Sequence, residues 1–117
     1  MAPERKAILV IDDNPQLADV LVELLELSGF DARASNNALA AIEDYRARGA
    51  DLVLVDFGMP DLDGAEIVRE ITRIDPGTQC CIMTGFGVSY AHEHARCPIA
   101  CDVITKPFDV EEVLQRL

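Results

Sequence analysis

The stretch Ala-Ile-Leu-Val-Ile-Asp-Asp (residues 7–13) decides the fold of this chain, and Asp-Leu-Val-Leu-Val-Asp (residues 51–56) follows the same design. In each stretch an apolar run stops at an acidic residue. A parallel strand that is buried on both faces reads as a continuous apolar run, and ligand sites of open α/β sheets lie just beyond the carboxyl ends of the strands. Both runs therefore deliver aspartates to one crevice.

Three carboxylates, those of Asp12, Asp13 and Asp56, are expected to meet in that crevice. Crowded acids repel one another and take up protons unless a cation holds them. Hard oxygen ligands with room left for water suit Mg2+. The sequence thus predicts a Mg2+ site with one aspartate placed beside the metal.

The length and composition of the chain favour one domain. Its 117 residues, 50% of them hydrophobic, are enough for one ordinary core and too few for two. We therefore expect a single domain over residues 1–117. The chain stops at Leu117, inside the last predicted helix, which favours a domain excised from a longer protein.

The charge and hydropathy of the chain exclude two classes of partner. The formal net charge of -11 argues against nucleic-acid binding, because contacts to phosphates draw on clustered Lys and Arg. No apolar run approaches the length of a membrane span, and no signal-peptide pattern precedes the first strand. We expect a cytoplasmic protein that binds neither nucleic acid nor membrane.

The cysteines are expected to be free thiols, because disulfides are rare in cytoplasmic proteins. Cys80 and Cys81 lie in the apolar run Gln-Cys-Cys-Ile-Met-Thr (residues 79–84), where a free cysteine commonly behaves as a small buried hydrophobic residue.

A second group, near the C-terminus, has the residue types of a zinc site: His92, His94, Cys97 and Cys101. Its spacing matches no standard zinc pattern, and Pro98 interrupts the helix that would align it. We therefore expect ordinary surface or core residues there.

Apolar runs alternate with helical patterns along the chain. The runs predict strands at Ala7–Ile11, Asp31–Ala34, Leu52–Asp56, Gln79–Thr84 and Asp102–Thr105. Five strand-helix repeats with short connections predict a flavodoxin-like, doubly wound parallel sheet of order 2-1-3-4-5 with helices on both faces. The switch point of that order lies between strands one and three, which carry the aspartates.

The first two helices have clear ends. The first is capped by Asn14, has Pro15 in its first turn and ends at Gly29. Its predicted buried stripe consists of Leu17, Val20, Leu21, Leu24 and Leu25. The second runs from about Ala38 to Arg48, behind the caps Asn36 and Asn37, and ends at Gly49.

The later helices are less regular. The third begins near Asp63, which stands at capping-box spacing from Glu66, and ends at residues 75–77; it is predicted to bury Val68, Ile71 and Ile74. Glycines, Ser89 and Pro98 predict a short or distorted fourth helix between Val88 and Ala100. The last is capped by Asp109 and Glu112, with Val113, Leu114 and Leu117 facing inward.

Four motifs at the ends of successive strands carry a family resemblance. They are Asp12-Asp13, the run Asp56-Phe-Gly-Met-Pro-Asp-Leu-Asp-Gly64, Thr84-Gly85, and Thr105-Lys106-Pro107-Phe108. In this order they resemble the receiver domain of two-component response regulators, of the chemotaxis-regulator type, over essentially the whole chain.

The resemblance implies a signalling phosphoacceptor rather than an enzyme that turns over an external substrate. Asp56 would take a phosphoryl group from a sensor histidine kinase or a phosphotransfer protein. Mg2+ would be held by Asp12, Asp13, Asp56 and the backbone carbonyl of Gly58. The hydroxyl of Thr84 and the ammonium of Lys106, placed by a cis bond to Pro107, would contact the phosphoryl oxygens.

One position departs from the family pattern. Many receivers carry a switching aromatic residue three positions before the lysine, where this chain has Val103. We therefore expect phosphorylation to reorder the segment Gly85–Ala100, where Phe86 and Tyr90 could take the aromatic role. It would then alter partner binding or self-association through the face formed by the fourth helix, the fifth strand and the last helix.

Two alternatives stay open at the level of sequence. Asp61-Leu62-Asp63-Gly64 imitates the nucleophile motif of haloacid-dehalogenase-like phosphatases, although there the motif follows a buried strand directly. The chain could also be an interaction module that keeps the fold without using phosphate, although all the pocket residues are present.

Overall fold

Five parallel strands form one sheet in the order β2-β1-β3-β4-β5. The computed structural model describes residues 6–58, 64–84, 101–105 and 110–115. The strands are β1 (Ala7–Ile11), β2 (Asp31–Ser35), β3 (Leu52–Asp56), β4 (Gln79–Thr84) and β5 (Cys101–Thr105), and the helices are α1 (Pro15–Leu27), α2 (Ala38–Arg48), α3 (Gly64–Ile74) and α4 (Val110–Leu114). The predicted flavodoxin-like fold is confirmed, and β2 and β5 are each one residue longer than predicted.

The sheet separates two apolar cores. In β1, Ile8 and Val10 face one core with side chains of α1 and α4, whereas Leu9 and Ile11 face the other with side chains of α2 and α3. None of these four side chains is exposed. A strand that is covered on both faces has no polar side, which explains the continuous apolar run.

Helix α1 has the predicted ends but only part of the predicted buried face. The Asn14 side chain accepts hydrogen bonds from the backbone N–H groups of Gln16 and Leu17, and Gly29 follows the helix with φ 97°. Leu25 is buried and Leu21 packs against the core, as predicted. The prediction is wrong for Leu17, Val20 and Leu24, which are 55%, 54% and 44% exposed.

The rotation of α1 about its axis explains this difference. Ala18 and Val22 contact the core in place of the three exposed residues. The apolar arc of α1 is wider than the strip that one sheet can cover, and the small Ala18 side chain lets that side of the helix approach the strands.

Helices α2 and α3 also differ from the prediction in detail. Of the two predicted caps of α2, Asn37 accepts from the N–H of Ala40, whereas Asn36 donates to a different residue and does not cap the helix. Val68 and Ile71 of α3 are buried as predicted, together with Ile67. The prediction is wrong for Ile74, which is 38% exposed at the last residue of the helix.

Several predictions fall outside the described residues. They concern the helix predicted between Val88 and Ala100, the switch segment at residues 85–100, His92, His94 and Cys97 of the zinc-like group, the cap residues Asp63 and Asp109, Leu117, and the part of the self-association face that this predicted helix would form. In α4, Val113 is buried as predicted. Within the described part of the chain, no helix combines the length and apolar character that crossing a membrane requires.

The amino-terminal end of β4 buries groups that ionise only at high pH. Cys80 and Cys81 are buried, as predicted, and burial raises the pKa of Cys80 to about 12 from the usual 9.0. The Tyr45 hydroxyl, which hydrogen-bonds to Thr78 and Asp75, also has its pKa raised, chiefly by burial.

The free energy of unfolding should therefore fall in alkali. A thiol whose pKa is raised in the folded state keeps its full contribution below pH 9.0 and loses it as the pH rises through about 12. Cys80→Ala should reduce this loss by up to about 1.4 kcal/mol per pH unit. Urea denaturation of both proteins over this pH range tests it. Tyr45 ionises in both proteins, and Cys80 is only the smallest of the causes that raise its pKa, so parallel curves would contradict the prediction.

Candidate functional site

The parallel pairing of β1 and β3 brings the acidic residues together. Ile11 lies opposite Val55, so Asp12 follows β1 at the level where Asp56 ends β3. One carboxylate oxygen from each of Asp12, Asp13 and Asp56 lies within 4.8 Å of the others. The structure thus forms the cluster that the two apolar runs predict.

The three carboxylates differ in exposure. Asp12 is only 5% exposed, Asp56 is partly buried and Asp13 is exposed. The cluster is therefore open to solvent on the side of Asp13, and Asp12 forms its buried side. A site of this shape leaves room for water beside any bound ion.

Backbone and side-chain donors hold Asp12 in place. Its N–H donates to the carbonyl of Ser35 at 3.1 Å, and its Oδ1 accepts from the N–H of Asn14 at 3.0 Å. Its carbonyl accepts from Nδ2 of Asn36, also at 3.0 Å. Because Asn14 also caps α1, the first turn of that helix and the acid cluster share one residue.

The donor set fits a small hard cation. Mg2+ binds oxygens at about 2.0–2.1 Å in an octahedron, which places opposite ligands roughly 4.2 Å apart and adjacent ones about 3 Å apart. Three carboxylate oxygens within 4.8 Å of one another need only a small closure to reach those distances. Gly58, whose carbonyl is the fourth predicted ligand, is exposed two residues after Asp56.

Strand β4 brings Thr84 to the same edge of the sheet. Asp56 lies opposite Met83, and the N–H of Phe57 donates to the Met83 carbonyl at 2.9 Å, so the ladder continues past Asp56. Thr84 is the next residue and is 1% exposed. Lys106, the remaining predicted site residue, lies outside the described residues.

Helix α3 begins directly against the backbone of Asp56. The N–H of Gly64 donates to the Phe57 carbonyl at 3.2 Å. A Cβ at Gly64 would lie 3.1 Å from the Asp56 carbonyl oxygen and 3.1 Å from Phe57 Cα. Only glycine allows this approach without moving the backbone that carries Asp56.

The supporting roles of Asn14, Asn36 and Gly64 are not evident from the sequence. The pattern around the two asparagines predicts only helix caps, which is the commonest role of asparagine before a helical pattern. The signal for Gly64 was its place one residue after a predicted cap, which does not by itself indicate a close contact.

A comparison with known proteins identifies the family to which this fold belongs. Residues 8–117 match the family model described as the response regulator receiver domain. The response regulator receiver protein CpdR of Brucella abortus is 30% identical over 112 residues, which cover 96% of this chain and 93% of that protein.

Longer proteins match over only part of their length. The transcriptional regulatory protein ZraR of Klebsiella oxytoca is 34% identical over 97% of this chain, which spans 26% of that protein. Among solved structures, a response regulator receiver domain protein of Clostridium thermocellum has a TM-score of 0.84 and 26% identity, with 95% of this chain and 90% of that chain covered.

Gly64→Ala should destabilise the protein by about 1–3 kcal/mol, because the added methyl group meets backbone atoms that cannot move aside freely. Gly58→Ala is the matched control, since a Cβ there meets nothing within 4 Å. It should be neutral or stabilise by up to about 1 kcal/mol. Urea denaturation measures both, and a Gly64→Ala variant as stable as the wild type would contradict the close contact.

Asp13→Ala should weaken Mg2+ binding by about tenfold or more, because it removes one carboxylate from the cluster. Asp31→Ala removes the same charge from an exposed position at the amino-terminal end of β2, which is the edge of the sheet opposite the acid cluster. It should leave the affinity for Mg2+ nearly unchanged. Titration calorimetry with MgCl2 measures both. Equal effects of the two substitutions would show that the ion responds only to overall charge.

Proposed function

Because the chain belongs to the response regulator receiver domain family, we propose that it accepts a phosphoryl group on Asp56, with Mg2+ held by Asp12, Asp13, Asp56 and the carbonyl of Gly58. The function of the family is phosphoacceptance in two-component signalling. The observation that carries the assignment of residues is the convergence of three carboxylates where β1 and β3 end.

The exposure of the three acids supports Asp56 as the acceptor. Asp12 is buried and is the least accessible of the three to an incoming donor. Asp13 is exposed to solvent on the residue after Asp12. Asp56 is partly buried between the other acids and β4, close to the strand end that carries Thr84.

The proposed step is a displacement at phosphorus. An oxygen of the Asp56 carboxylate forms a bond to phosphorus as the bond between phosphorus and the donor's imidazole nitrogen breaks. An aspartyl phosphate results, and the imidazole, whose other ring nitrogen already carries a proton, leaves as the neutral ring with the electron pair of the broken bond. When bound, Mg2+ supplies positive charge that neutralises the transferred oxygens.

Two further residues are proposed to contact the phosphoryl group. Thr84 is buried at the carboxyl end of β4, next to the residue paired with Asp56. Its hydroxyl is therefore suited to donate a hydrogen bond to an oxygen of the phosphoryl group on Asp56. Lys106 follows β5 in the sequence, and its ammonium would offset negative charge on the side away from the metal.

The domain implies a histidine kinase or a phosphotransfer protein as the phosphoryl donor. We propose that residues 1–117 act as one receiver unit, in line with the family match over residues 8–117. The comparisons give no support to a haloacid-dehalogenase-like phosphatase, whose motif would use Asp61 and Asp63. A phosphate-independent module is disfavoured because the acid cluster is complete.

Asp56→Asn should abolish phosphorylation by acetyl phosphate, because the amide is not a nucleophile for phosphorus. Wild type should gain one phosphate in the presence of MgCl2 and none with EDTA, as intact-mass spectrometry will measure. Asp31→Asn, a matched change at an exposed position, should behave like wild type. A phosphate adduct that persists in Asp56→Asn would overturn the assignment of the acceptor.

A further inference from the structure

The side chain of Asn36 continues the β1–β2 ladder one step beyond its last backbone bond. The final paired residues are Ile11 and Ser35, and the N–H of Asp12 adds a bond to the Ser35 carbonyl. In a regular parallel ladder the next donor, to the Asp12 carbonyl, would be the backbone N–H of Asn37. Here Nδ2 of Asn36 makes that bond at 3.0 Å.

Asn36 and Asn37, which precede α2, make different hydrogen bonds. Asn37 takes the extended backbone of an N-cap, with φ -144° and ψ 158°, and its Oδ1 accepts from Ala40 N–H at 2.8 Å. Asn36 makes no such cap. A carbonyl can only accept, so the amide nitrogen of Asn36 must face Asp12.

The contact restrains the most buried member of the acid cluster. Asp12 is held through its N–H by Ser35, through its carbonyl by Asn36 and through Oδ1 by Asn14. Three carboxylates within 4.8 Å of one another repel, and repulsion in the metal-free protein tends to separate them. The restraints on Asp12 oppose that separation.

We propose that Asn36 is a positioning residue for the cation site: its amide keeps Asp12 in the geometry that the ion requires, so less reorganisation accompanies binding. This inference rests on the proposed function, because it concerns the ion that the acid cluster would hold. A group that orients a metal ligand changes affinity without touching the metal.

The position of Asn36 suits a mutational test. Its side chain is exposed, although the bond it makes is partly buried, so truncation leaves no cavity in either core. Asn36→Ala removes the donor, Asn36→Gln keeps an amide on a longer chain, and Asn37→Ala removes the neighbouring cap as a matched control.

Three measurements on the full chain separate a positioning role of Asn36 from a general loss of stability. Calorimetric titration with MgCl2 should show an affinity about three- to tenfold weaker for Asn36→Ala, partial recovery for Asn36→Gln, and an unchanged value for Asn37→Ala. In metal-free protein, the amides of Asp12 and Asn14 should exchange hydrogen faster in Asn36→Ala than in wild type or Asn37→Ala. Asn37→Ala should lower the denaturation midpoint, because a helix cap is lost.

The outcomes distinguish the positioning role of Asn36 from the proposed Mg2+ site on which it rests. Wild-type protein that binds Mg2+ with the same affinity as Asn36→Ala would overturn the positioning role alone. Equal weakening by Asn36→Ala and Asn37→Ala would also overturn it, because both would act through stability. A wild type that does not bind Mg2+ at all would overturn the proposed metal site, and with it this inference.

Discussion

The parallel pairing of β1 with β3 is the constraint on which the rest of the structure depends. Its register places Ile11 opposite Val55, and so brings Asp12 level with Asp56 at the carboxyl edge of the sheet. Side chains alternate between the two faces of a strand. A shift of one residue in the pairing of β1 with β3 would therefore move each side chain of one strand to the opposite core and would separate the acids. The two apolar cores, which pin both faces of these strands, therefore also set the geometry of the site.

The acid cluster holds three carboxylates that repel one another, an arrangement that suits cation binding but destabilises the fold locally. Neighbouring carboxylates cost stability, and the donors around Asp12 and the cores below the sheet offset that cost. Asp56 is constrained differently, through its backbone: Gly64 packs against its carbonyl and Phe57 bonds to β4. A change in charge on Asp56 acts most strongly on the Asp12 and Asp13 carboxylates, which lie within 4.8 Å of it, whereas its backbone contacts the start of α3 and the end of β4.

Much of the fold and the centre of the site could be predicted from the sequence. Continuous apolar runs identify strands that are buried on both faces, and caps such as Asn14 and Gly49 identify helix ends, because both signals depend on residues close together in the chain. The strand order follows from the few topologies that right-handed crossovers allow. Since the carboxyl ends of parallel strands share one edge, the meeting of Asp12, Asp13 and Asp56 followed as well.

The rest was decided by contacts between distant segments. The sequence marks α1 as apolar at helical spacing, but only packing on the sheet selected Leu25 and left Leu17 half exposed, because the arc of apolar residues is wider than the contact. Asn36 and Asn37 are equivalent as sequence signals, and the position of the Asp12 carbonyl, 24 residues away, gave them different partners. The sequence alone determined which residues form the strands, the helix ends and the acid cluster. Tertiary structure alone decided helix rotation and the supporting hydrogen bonds, because these depend on distances between chain segments that no local pattern encodes.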